Sequence, residues 1–147
     1  MRRFSFRLQR VLDIREQIRD ELRQELVRKN HERDDELQVL ARLEQESLQI
    51  KIEEGGTYSA SELVMFGAYS VRLKQLMEQQ QQRVAAAIKQ VEEAKERYIE
   101  ASKEAKALEM LRQKRREEYT EQQLKEDGRQ LDELAIQRIG QGIGSRD

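Results

Sequence analysis

Proline-free and 39% charged, the chain predicts an all-α fold: a long antiparallel two-helix coiled-coil hairpin with a projecting C-terminal helical segment. Three observations carry that expectation. Strong helix formers run from Phe6 to Glu53 without a glycine or proline. Apolar and small residues then alternate at spacings of three and four between Leu73 and Leu108. Between these stretches stands Glu54-Gly55-Gly56-Thr57-Tyr58, the clearest turn signal in the sequence. With 5% aromatic residues and a mean hydropathy of −0.95, the 147 residues offer little to fill a compact globular core.

Helix one is expected over about 5–53, from the uninterrupted run of helix formers. Its apolar residues are Leu8, Val11, Leu12, Ile14, Ile18, Leu22 and Leu26, then Leu37, Leu40, Leu43, Leu48, Ile50 and Ile52. The turn occupies 54–58. Ser59 and Glu62 then have the spacing of a capping box, in which hydroxyl and carboxylate each satisfy an orphan amide at a helix start. Helix two is expected over about 60–127, with Gly128 as a natural stop. Its seam reads Leu73, Gln80, Ala87, Ala94, Ala101 and Leu108, interleaved with Met77, Val84, Val91, Tyr98 and Ala105. A short helix over 129–139 follows, so that residues 1–139 form a single coiled-coil domain. Residues 140–147 read as a flexible tail.

A short loop forces antiparallel neighbours, and folding back at Gly55-Gly56 makes facing residue numbers sum to roughly 113. That register sets the polar stretch Lys29–Glu36 level with Glu78–Arg83. It also sets Ile14, Ile18, Leu22 and Leu26 level with Ala87, Ala94 and Ala101, large against small. At ~1.5 Å per residue, helix one spans roughly 70–75 Å and helix two roughly 100 Å. The excess leaves an overhang from near Met110 in which Leu124, Leu131, Leu134, Ile136 and Ile139 have no partner within the chain. An isolated helical end with an apolar stripe is marginal in water.

Composition also excludes function classes. Cationic and anionic residues number 28 and 29, so the bulk field gives no general pull toward nucleic acid. The basic start, Arg2 to Arg10, runs at once into Asp13, Glu16 and Asp20, and Lys114-Arg115-Arg116 is balanced by Glu117-Glu118. No nucleic-acid partner is therefore expected. Arg7, Gln9, Arg10 and Asp13 interrupt any secretory apolar run, and no window approaches a membrane span, so no membrane insertion is expected. The lack of cysteine agrees with a reducing cytoplasm.

Neither a phosphate-binding glycine loop nor a nucleophile elbow is present, and acidic residues on solvated helix faces have no burial to tune them. The expectation is no enzyme and no cofactor. His31 with Asp34 and Asp35 has metal-compatible spacing, but one histidine without cysteine is better read as part of a polar layer; no metal site is expected. Around Leu63 to Met77 there is more apolar surface than one seam uses. Either the end of helix one covers it, or it forms a partner groove with Tyr69, Leu73, Leu76 and Gln80 as contacts.

The opening Phe4-x-Phe6-Arg7-Leu8-Gln9-x-Val11-Leu12-Asp13-x-Arg15-Glu16 resembles the start of the FliJ family, coiled-coil proteins of bacterial flagellar type III export. Leu131-Asp132-Glu133-Leu134-Ala135 is similar to that family's C-terminal pattern. The resemblance implies three partners: the flagellar export ATPase ring, the membrane export gate protein and export chaperones. It also implies a likeness in fold to the central stalk of rotary ATPases. Beside the resemblance, a ring lumen gripping the helical ends would have Phe4, Phe6, Leu8, Val11 and Leu12 pack near Leu108 and Met110, with Arg3, Arg7, Arg10, Lys114, Arg115 and Arg116 around them. Together with Leu124, Leu131 and Leu134 they would dock in the ring, while Tyr69, Leu73, Leu76 and Gln80 would meet the gate. The implied location is cytoplasmic, peripheral to the inner face of the cell membrane at the flagellar base, and a monomer in isolation is compatible with it. The alternatives are an RNA- or protein-binding helical arm and a generic homodimeric coiled-coil scaffold.

Overall fold

The computed structural model describes residues 2–50 and 56–144. Among them are two α-helices and no strand: α1, Gln9–Gln49, and α2, Ala60–Gly144. They pack against each other with opposite direction, the expected all-α hairpin. Contacts divide the chain into two compact units, one of Ile18–Ala101 and one joining the residues up to Gln17 to those from Ser102 onward.

The start of α1 is set by backbone hydrogen bonds. Gln9 N donates to Phe6 O at 3.0 Å and Leu12 N donates to Leu8 O at 2.9 Å. The helix thus begins four residues later than the sequence pattern suggested, because residues 2–8 take a non-helical path along α2. At the other end, α1 stops at Gln49; Ile52, Glu53, Glu54 and Gly55 lie outside the described residues.

The start of α2 is capped as its sequence demands. Glu62 N donates to Ser59 Oγ at 3.2 Å, and Ser59 N donates to Glu62 Oε2 at 3.3 Å. Two orphan amides are satisfied reciprocally. The Tyr58 ring, just before the cap, meets the Phe66 ring edge-on at 5.7 Å.

The C-terminal half differs from expectation. α2 runs through Gly128 without a break and ends at Gly144, in place of a stop near 127, a separate helix over 129–139 and a tail from 140. A glycine inside a helix costs only about 1 kcal/mol relative to alanine. Here it is flanked by helix formers, and a stop also needs a left-handed residue that closes the last turn.

In the unit Ile18–Ala101, α2 buries Leu73, Gln80, Val84, Val91, Ala94 and Ala101, with Met77, Ala87 and Tyr98 half-buried. These are the seam positions read from the sequence. Facing pairs fix the direction: Glu25 bridges Arg97 at 3.6 Å, Lys29 Nζ donates to Gln90 at 3.2 Å, and Gln80 meets Glu36. The register is displaced from the expected one by roughly one to two helical turns. Glu36 does lie level with Gln80, but Lys29 faces Gln90 rather than the glutamine run.

The displacement changes what covers the alanines. Ile18 stays exposed, whereas Arg19, Leu22, Leu26, Lys29 and Arg33 are half-buried on α1. Long charged side chains lay their methylene stems across a small-residue seam and keep their heads in water. Ile14 is exposed as well, so large-against-small packing is preserved by Leu22 and Leu26 together with lysine and arginine stems.

In the unit formed by the terminal stretches, Leu12 is 1% exposed and is the one large side chain, among the described residues, buried that completely. On α2, Ala105 is also 1% exposed. Arg15 bridges Glu104 at 2.7 Å, with both side chains 44% exposed. At that exposure, solvent leaves such a pair about 0–1 kcal/mol of stabilisation. Packing at Leu12 decides this region.

Candidate partner-docking surfaces

Residues 2–8 form a strap along α2. Phe4 stacks on Tyr119 at 5.6 Å between ring centroids, tilted by 49°. The Tyr119 hydroxyl donates to the Arg2 carbonyl oxygen. Aromatic pairs of this geometry contribute about 0.5–1.5 kcal/mol beyond their buried area. Phe4, Phe6 and Leu8 are half-buried, and with Leu111 and Tyr119 they line an open groove of about 650 Å³ rimmed by Arg2, Arg3, Arg7 and Arg115.

The expected neighbours of the strap were Leu108 and Met110. Its groove is lined instead by Leu111 and Tyr119, and Met110 is exposed. Tyr119 was not singled out from the sequence. Its signal was an aromatic within the charged run Lys114–Glu118 and Glu121, where nothing else apolar is available. Around it Arg115 pairs with Glu118 at 3.5 Å.

Beyond the strap the apolar stripe is uncovered. Leu124, Leu131 and Leu134 are 68%, 67% and 54% exposed, and Ile136 and Ile139 are exposed beside them. Of the expected docking residues in the first turns of α1, Val11 faces solvent and Leu12 faces the seam. Arg7 is exposed at the groove. The strap and the stripe therefore offer complementary chemistry: aromatic rings ringed by arginine, then bare leucine.

At the start of α2 the four other candidates separate. Tyr69 is exposed and Leu76 half-buried, whereas Leu73 and Gln80 lie in the seam. Gln80 Nε2 donates to the Glu36 carbonyl oxygen at 2.8 Å and also to its carboxylate. A buried amide so engaged fixes the pairing of two helices, because shifting by one turn strands it. Leu73 and Gln80 are thus turned into the seam, while Tyr69 is left open to solvent.

His31 is exposed, and Asp34 is paired with Arg33 at 3.1 Å. Among the described residues no group of three His, Cys, Asp or Glu side chains is placed to hold a metal ion. Nor is any helix among them long and apolar enough to cross a membrane.

A family model described as "Flagellar FliJ protein" matches residues 4–143. No curated protein and no solved structure matches the chain.

Proposed function

The chain belongs to the FliJ family, and we propose that it binds the export ATPase ring and links it to the membrane export gate and to export chaperones. Family membership makes it a component of bacterial flagellar protein export. In this reading, ring docking uses Phe4, Phe6, Arg7, Leu8 and Val11 of the strap and first turns, held by Leu12. Leu124, Leu131 and Leu134 add the uncovered stripe. The observation that carries it is that stripe: three leucines at least half exposed on a helix whose other seam residues are covered. Arginines around the strap favour acidic loops on the ring and speed encounter.

Tyr69 and Leu76 serve the gate, positioned by Leu73 and Gln80. The protein works in the cytoplasm at the inner face of the membrane, and hydrolysis belongs to the ATPase, not to this chain. A pull-down with the export ATPase tests the ring assignment. Leu124→Asp/Leu131→Asp/Leu134→Asp is expected to lower recovery by about tenfold or more, as loss of central apolar anchors does. Equal recovery of that variant and the wild type refutes the assignment. Tyr69→Ala/Leu76→Ala is expected to weaken gate binding with helicity intact.

A further inference from the structure

We infer that the first three turns of α2 seat on a lipid bilayer surface, with Val64, Met65 and Val71 among the headgroups. The inference rests on the chemistry of this segment and not on the docking of the ring. From Gly56 to Val71 the only charged residue is Glu62, in a chain that is 39% charged. The Glu62 carboxylate is committed to Ser59 N in the capping box, so the segment also presents a satisfied helix start.

What distinguishes this segment is that its exposed apolar side chains have no charged residue between them. Leu63, Val64, Met65 and Phe66 are consecutive, and successive helical residues are turned by about 100°. All four are exposed, Val64 and Met65 by 72% and 70%, with Tyr69 and Val71 following. The most exposed of them, Val64, Met65 and Val71, fall within about 120° of one another around the helix and opposite Leu73, which the seam buries. Elsewhere on α2 the exposed leucines at 124, 131 and 134 are interleaved with Lys125, Glu126, Arg129, Asp132 and Glu133, as a stripe should be.

Tyr58 and Phe66 add aromatic bodies suited to the boundary between headgroup and acyl chain. Arg72 and Lys74 supply cations one turn beyond. Because Glu62 and Glu78 offset them, burial of apolar area, not charge, drives the seating. No described helix crosses a membrane, so the contact stays peripheral.

The full chain is mixed with sucrose-loaded vesicles of phosphatidylcholine alone and of phosphatidylcholine with phosphatidylglycerol, then sedimented. Wild type is expected to partition onto both, with little change when salt is raised. Val64→Glu/Met65→Glu is expected to lose partition about tenfold or more; glutamate in the first turns suits the helix dipole, and circular dichroism verifies that the fold is kept. Leu124→Asp/Leu131→Asp, equally exposed elsewhere, is expected to partition like wild type. The chain has no tryptophan, so Met65→Trp reports directly through a blue-shifted emission on adding vesicles. Four results overturn the proposal: no partition onto either vesicle, binding only to anionic vesicles that salt abolishes, equal loss in the 124/131 variant, or an unshifted Met65→Trp emission. Sedimentation of wild type without vesicles, abolished by the 64/65 variant, would assign the surface to a second copy instead.

Discussion

One helix contains two stretches of the same kind with opposite fates. Between Leu73 and Leu108, α2 repeats apolar and small residues every three and four positions, and all of them are buried or half-buried. Between Leu124 and Ile139 it again carries leucines and isoleucines at helical spacing, and every one is exposed. Propensity and hydrophobicity do not separate the two. What separates them is opposing chain: α1 has 41 residues and α2 has 85, and the strap of residues 2–8 reaches only as far as the groove around Tyr119 and Gln122. Periodicity states what must be covered, and the length of the partner decides whether the chain itself does it.

The sharpest way to break that comparison is to hollow the covered stretch. Leu12→Ala and Leu73→Ala each remove a leucine that is at most 3% exposed, and each is expected to cost about 2–5 kcal/mol in denaturant unfolding. At the cap, Ser59→Ala leaves Glu62 N without its hydroxyl partner and is expected to cost about 1 kcal/mol, read as a lower melting temperature.

Gly128→Ala probes the uncovered stretch. A Cβ there meets nothing within 4 Å, so on a continuous helix the change is expected to stabilise by about 0.5–1 kcal/mol and to raise helicity. A loss of helicity would show that the glycine ends the helix after all. Smallest is Leu124→Ser/Leu131→Ser, expected within about 0.5 kcal/mol of wild type in thermal melts despite deleting two leucines. A large destabilisation there would mean that the stripe is covered by its own chain or by a second copy.

Legibility from sequence followed the same division. The α2 seam was readable residue by residue, because a heptad is periodic and each position reports its own face. The capping box was readable because both of its atoms lie within four residues. Register was not. It depends on how α1 pairs through Glu25, Lys29 and Glu36, and charged side chains with flexible stems accept several pairings that differ little in energy. The role of Tyr119 was equally hidden, since nothing local to Lys114–Glu121 says that Phe4 lies against it. The Gly128 stop failed for another reason: a glycine permits a helix end but does not impose one.

The strap also has a history in time. Phe4 and Phe6 are synthesised well before Tyr119, whose hydroxyl holds Arg2 from 117 residues further along the chain. At typical translation rates, roughly 6–25 s pass before that ring exists. Once clear of the ribosome, this segment displays two unshielded phenylalanines among arginines until that ring arrives, a ready target for whatever guards newly made polypeptides.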